Sequence, residues 1–293
     1  MSGERGVVAG YDGSPASEAA VRWAAAEARL RGVPLTVAHA WDMYAAVGAM
    51  AVPAVDLREA AEAVAAEGAA RAREEIGEAG RTEVRAVLGR GGAANMLMEA
   101  AAGAELIVVG SRGRGGFAEL VLGSTAGELA AHAAVPVVVV RDRPAEDGAA
   151  SPGGPVVVGV DGSAASLEAV GLAFAEADLR GAEVLAVVAW PAEADAGPAP
   201  LVDAESLRGF AGERLDRLVE PWRGKYPGVA VRTEVRTGPP REVLLDAARD
   251  AGLLVVGSRG IGGFRGLLLG SVSHALLHHA AAPVAVVRAP SGT

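Results

Sequence analysis

Two stretches of this chain combine glycine, hydroxyl and arginine residues in a way that suits a phosphate. The first runs Gly110-Ser111-Arg112-Gly113-Arg114-Gly115-Gly116-Phe117 and closes with Gly123-Ser124-Thr125. The second runs Gly257-Ser258-Arg259-Gly260-Ile261-Gly262-Gly263 and closes with Gly270-Ser271-Val272-Ser273. Such loops offer many backbone N–H groups and little side-chain bulk, so they can wrap phosphate oxygens closely. Ser124 and Ser271 each open a stretch that reads as helix, and a helix start presents free N–H groups and a positive dipole end to an anion. Arg112, Arg114 and Arg259 can add charge-assisted hydrogen bonds. The competing reading is that the glycines serve only turns. Finding the loop twice, after a strand and before a helix start, favours the phosphate cradle.

The elements that must position these loops are themselves duplicated. Val8-Ala9-Gly10-Tyr11-Asp12-Gly13-Ser14 matches Val158-Gly159-Val160-Asp161-Gly162-Ser163, with Asp161 lying 149 residues after Asp12. Leu106-Ile107-Val108-Val109-Gly110 matches Leu253-Leu254-Val255-Val256-Gly257 at an offset of 147, as Pro136 matches Pro283. A repeat of this length is a whole domain. The 293 residues therefore read as domains at 1–143 and 155–293, joined by a Pro-, Gly- and Ala-rich linker at 144–154.

Each copy alternates short apolar runs with helical stretches. In the first, strands are expected at 6–10, 35–41, 84–88, 106–109 and 137–140. Helices are expected at 14–31, within 56–80, at 93–102 and from Ser124, with Ser14 as N-cap and Pro15 at the first helical position. The second copy repeats the strands at 156–159, 184–190, 229–235, 253–256 and 284–287. Continuous Val/Ile/Leu strands alternating with helices predict an α/β fold: two doubly wound domains, each a parallel sheet with helices on both faces. Ligands of such sheets bind beyond the carboxyl ends of the strands, at the switch point of strand order. Asp12 and the loop from Gly110 both follow strands directly, so they meet in one crevice if those strands are neighbours.

The pattern Gly110-x2-Gly113-x9-Gly123-Ser124, repeated as Gly257-x2-Gly260-x9-Gly270-Ser271, resembles the ATP-binding motif of the universal stress protein family. The resemblance covers both halves nearly end to end and marks a tandem member. It implies a Rossmann-like five-stranded parallel sheet of order 3-2-1-4-5 in each half. It implies that Gly110, Gly113, Gly123 and Ser124 hold ribose and phosphates, as do Gly257, Gly260, Gly270 and Ser271, with Thr125 and Ser273 adding hydroxyls. Asp12 and Asp161, just after Gly10 and Gly159, would face ATP or its Mg2+. The alternative for either aspartate is an Asx-turn at the helix entry. Ala40 and Ala189, near the ends of the second strands, would offer backbone groups to adenine. The resemblance also implies pairing of the two domains through their fifth strands and a homodimer. Val137 to Val140 and Val284 to Val287 are too apolar for exposed edges.

Other features narrow the function. Zero Cys excludes thiolate metal sites and cysteine nucleophiles. A net charge of −9 argues against nonspecific nucleic-acid binding. No apolar run approaches the roughly 18 residues of a membrane span, and the start shows no signal peptide, so a cytoplasmic protein without nucleic-acid or membrane partners is expected. His39, His132, His274, His278 and His279 form no spaced set with carboxylates that suggests a metal. Neither a Walker-type lysine nor a nucleophile elbow is present. The expected function is an ATP-binding stress-response regulator or sensor with one site per domain and an unnamed protein partner. The alternatives are a slow ATP-consuming enzyme and a scaffold with vestigial sites. The first glycine span, 110–125, carries Arg112, Arg114 and Glu119. The second, 257–272, carries Arg259 and Arg265, and so has the higher net positive charge. The second site is therefore expected to bind triphosphate several-fold more tightly.

Overall fold

The computed structural model describes residues 5–41, 54–77, 81–114, 122–142, 153–190, 204–262 and 268–290. The chain divides into two compact units, Met1–Asp142 and Arg143–Thr293. Most of the expected linker lies outside the described residues, as do Gly115, Gly116, Glu119, Gly263 and Arg265.

The first unit runs β1 (Val7–Gly10), α1 (Pro15–Arg31), β2 (Leu35–Trp41), α2 (Ala54–Ile76), β3 (Val84–Arg90), α3 (Ala93–Ala100), β4 (Leu106–Gly110), α4 (Ser124–His132) and β5 (Val137–Val140). Every strand pairing is parallel, in the order β3-β2-β1-β4-β5. The second runs β6 (Val156–Gly159), α5 (Ala164–Arg180), β7 (Val184–Trp190), α6 (Ala204–Lys225), β8 (Val231–Thr237), α7 (Pro240–Ala247), β9 (Leu253–Gly257), α8 (Ser271–His279) and β10 (Val284–Val287). Its order, β8-β7-β6-β9-β10, repeats the first.

Both faces of each sheet are covered. Helix α1 packs on α2, and α3 on α4; α5 packs on α6, and α7 on α8. This is why the central strands are apolar throughout rather than alternating. Val7, Ala9, Ile107 and Val108 are fully buried, as are Val156, Val158, Leu253 and Val255. Each such large aliphatic side chain contributes about 1.5–3 kcal/mol by leaving water. The outermost β3 is the most exposed strand of the first unit, with Val84, Leu88 and Gly89 half-buried and the rest exposed.

β1 starts one residue late, β4 and β9 run one residue further and β3 two, and the third strand of the second unit differs most from expectation. The apolar start at Val229 placed the third strand of the second unit at 229–235, but β8 begins at Val231. The Val229 N–H instead closes a turn onto the Tyr226 carbonyl at 3.1 Å, and the ladder starts where Val231 faces Val184. Val229 is buried in a turn, which apolar patterning alone reads as strand.

Candidate functional site

The sheet order makes β1 and β4 neighbours and sends β2 and β4 away from β1 on opposite sides. This is the switch point. Strand β1 stops at Gly10, opposite Ala38, while β2 continues to Trp41. The Tyr11 N–H donates to the Ala38 carbonyl at 3.0 Å, so Ala38 turns its backbone groups toward β1. Strand groups repeat their direction every second residue. The N–H and C=O of Ala40 therefore point to the space where β1 has ended. In the second unit the Val160 N–H donates to Val187 at 2.9 Å, which turns the backbone of Ala189 the same way.

The Asp-Gly-Ser segment ties this crevice to the glycine loop. Asp12 Oδ1 accepts from the Ser14 N–H at 3.0 Å, and Oδ2 accepts from the Arg114 N–H at 2.8 Å. Asp161 accepts from Ser163 at 2.9 Å and from Ile261 at 2.9 Å. Burial alone would raise both carboxyl pKa values. Hydrogen bonds from the Ser14 or Ser163 segment, the loop N–H and Ser17 or Ser166 outweigh it, and both lie below the ordinary carboxylate value. Each aspartate is thus an Asx-turn residue and a clamp on the loop. Main-chain N–H groups engage both oxygens of each aspartate, which accounts for these side chains without the expected Mg2+. Among the described residues, no group of three or more His, Asp or Glu is placed to hold a metal.

Serines complete the frame. Ser14 caps α1 by accepting from the Ser17 N–H at 3.2 Å, and its hydroxyl donates to the Arg112 carbonyl at 3.3 Å. Ser163 does the same toward Ser166 and Arg259, both at 3.2 Å. The buried Ser17 and Ser166 hydroxyls donate to the carbonyls of Ser14 and Ser163. Residue-type reasoning missed this pair, although their match at offset 149 was a usable signal.

The glycines have separate reasons. A Cβ at Gly110 would come within 2.6 Å of the Ala16 backbone, and one at Gly257 within 2.8 Å of Ala165, so these positions let the helix start cross the strand end. At Gly113 and Gly260 a Cβ would run into the clamping carboxylate of Asp12 or Asp161. Gly10 and Gly159 sit under Leu97 and Leu244. The loop starts at Ser111 and Ser258, which donate to the Val140 and Val287 carbonyls and accept from Gly123 and Gly270.

Gly123 and Gly270 are the N-caps of α4 and α8, and neither supplies a side-chain cap. The opening N–H groups of Ser124, Thr125 and Ala126, and of Ser271, Val272 and Ser273, thus lack the cap bond that Ser14 gives α1. The Ser273 hydroxyl donates to the Gly257 carbonyl at 2.7 Å and is buried, so it braces the strand exit.

In the first unit these groups surround a cavity of about 440 Å³. Gly10, Asp12 and Ala40 line one side, and Gly110, Arg112, Gly113, Gly123, Ser124 and Thr125 the other. The volume falls in the range of about 300–1,000 Å³ usual for small-ligand sites. His39, Met96 and Leu97 also line it, though sequence reasoning did not single them out for this role. His39 Nδ1 lies 2.8 Å from the Tyr11 carbonyl, which can only accept, so Nδ1 carries the proton. In the second unit Gly159, Asp161, Ala189, Arg259, Gly260 and Ile261 occupy the matching places on the same framework.

Residues 5–141 and 154–288 each match the universal stress protein family. The chain is 37% identical over 298 residues to a universal stress protein of Mycolicibacterium smegmatis, covering 97% of each chain. It is 36% identical over 292 residues to one of Mycobacterium tuberculosis, again with 97% of both chains covered. Its fold is similar to the crystal structure of a universal stress protein from Archaeoglobus fulgidus, with a TM-score of 0.68 at 18% identity, covering 97% of this chain and 98% of that one.

Proposed function

The chain belongs to the universal stress protein family, with one copy of the family domain in each half, and we propose that it is an ATP-binding regulatory protein with one nucleotide site per unit. The observation that carries this reading is the convergence on one cavity of an uncapped helix start at Ser124, the loop from Gly110, and the outward backbone of Ala40. A helix start and loop amides suit phosphates. A free strand edge between apolar side chains suits a flat base with donors and acceptors on its rim. Arg112 supplies charge beside the phosphates.

The residues bind and orient the nucleotide; none is assigned a chemical step. Phosphoryl transfer needs an oriented nucleophile as well as positioned charge, and among the described residues no nucleophile is identified beside the cavity to support the reading of a slow ATP-consuming enzyme. Regulation then follows from differential affinity: ATP shifts the protein only as far as it favours one conformation. Pairing of the units through their fifth strands and a homodimer are part of this proposal and rest on the family resemblance, and cytoplasmic residence rests on the sequence.

Mass spectrometry of nucleotide released from the native protein, with calorimetric titration of the stripped chain, tests the reading. ATP at two sites per chain is expected. No released nucleotide and no binding heat would leave only the scaffold reading. Sustained phosphate release in a turnover assay would move the protein to the enzyme class.

A further inference from the structure

Helix α8 carries two histidines one turn apart. His274 and His278 are four residues apart, so both project from one face of the helix. Their ring centres lie 4.3 Å apart, with the ring planes tilted by 38°. His279 is set further round the helix, its ring centre 6.1 Å from that of His278.

Packing does not call for the pair. The helix buries Ser273, Leu276 and Leu277, whereas His274 is exposed and His278 half-buried. In the first unit the matching positions, at the 147 offset, are Gly127 and Ala131. Helix α4 holds the same place in its unit without an imidazole at either. Of the three histidines of α8, only His279 has a counterpart, His132. That one serves its own helix end, where Nδ1 lies 3.0 Å from the Glu128 carbonyl. The duplicated histidine is thus explained by the helix end. The pair peculiar to α8 is not.

Two imidazoles at this spacing can act as a chelate. Histidines four apart on one helix face offer two nitrogen ligands to one ion, as in helices that hold zinc. An ion about 2.0–2.1 Å from one nitrogen of each ring sets the ring centres roughly 4.5–5 Å apart. A small turn of the exposed His274 ring completes that geometry. Each ring uses one nitrogen and keeps the other for bonds within the protein. Imidazole suits zinc, nickel and copper, whereas magnesium and calcium favour oxygen ligands. Among the described residues no group of three His, Asp or Glu is placed to hold an ion, so water fills the remaining positions.

We propose that His274 and His278 form a two-point binding site for a divalent ion of the nickel, copper or zinc class, carried by the second unit alone. The site does not depend on the nucleotide reading, because neither histidine takes part in it. A bound ion links successive turns of α8 and stabilises the folded chain by mass action.

The test is calorimetric titration of the full, untagged chain, stripped of nucleotide, with Ni2+ alone, at a slightly alkaline pH where imidazole is uncharged. One Ni2+ per chain is expected, and Ni2+ should raise Tm. His274→Ala and His278→Ala should each weaken binding about tenfold or more, because a chelate becomes a single ligand, and each should remove the rise in Tm. His279→Ala should keep both. No Ni2+ binding by the parent chain, full binding by His274→Ala, or an equal loss in His279→Ala would each overturn the assignment. His274 is exposed, so His274→Ala decides the matter even if His278→Ala does not fold.

Discussion

The glycine loop after β4 and the one after β9 are held by the same bonds at nearly the same lengths. Asp12 reaches the Arg114 N–H at 2.8 Å, and Asp161 the Ile261 N–H at 2.9 Å. Ser14 and Ser163 reach the Arg112 and Arg259 carbonyls at 3.3 and 3.2 Å. Yet the clamped residue is a cation in one unit and an exposed aliphatic in the other. The frame tolerates this because it grips the main chain, which every residue supplies. Side chains projecting from it are free to diverge. The two units thus share how the loop is held and differ in which side chains project from it.

The largest effect expected comes from closing one loop. Gly113→Val drives a side chain into the Asp12 carboxylate, and Gly260→Val does so at Asp161. Each should lower the ATP stoichiometry from two per chain to one by calorimetry. Two sites surviving in either variant would break the claim that these glycines guard separate sites.

Next come the clamps. Asp12→Ala and Asp161→Ala each strand two N–H groups, and should cost about 1–3 kcal/mol by denaturant unfolding. The two costs should be alike, because the bonds are alike. A cost confined to one variant would show that the frames are not equivalent.

The same clamps carry a pH dependence. Both carboxyls titrate below the ordinary range in the folded chain. The stability they add is therefore complete above the unfolded carboxylate pKa of about 4 and is lost as pH falls through the lower folded values. Amide resonances of Ser14, Arg114, Ser163 and Ile261 should shift together in that acid window. A midpoint above pH 4 would reverse the assigned direction.

The smallest effect is the difference in affinity. The second glycine span carries more net positive charge. Unit charges 4 Å apart interact by about 1 kcal/mol in water, and salt weakens this. The second site should bind ATP several-fold more tightly, with a gap that narrows as salt rises. Equal affinities, or a tighter first site, would show that net charge at the loop does not set binding.

Much of this site is legible in the order of the residues alone. Ser14 and Pro15 mark the start of α1, and β2, β5, β6, β7 and β10 lie where their apolar runs place them. The spacing of the glycines locates the loop. Their individual duties are not legible, because a glycine in sequence does not say what would collide with its Cβ. Gly110 makes room for a helix backbone, Gly113 for a carboxylate. Asp12 reads equally well as ligand-facing or as an Asx-turn, since both uses place an aspartate before Gly-Ser.

By itself, the sequence determined the elements, the duplication and the family. These depend on local propensity, hydrophobic period and motif spacing, all of which are properties of neighbours along the chain. Tertiary structure alone decided which partners meet across it: Asp12 with the Arg114 N–H 102 residues away, and the backbone of Ala40 with the space beyond Gly10. Such contacts depend on where parallel strands stop relative to one another and on which turn of a helix faces the crevice. Packing fixes those positions, and no spacing in the sequence encodes them.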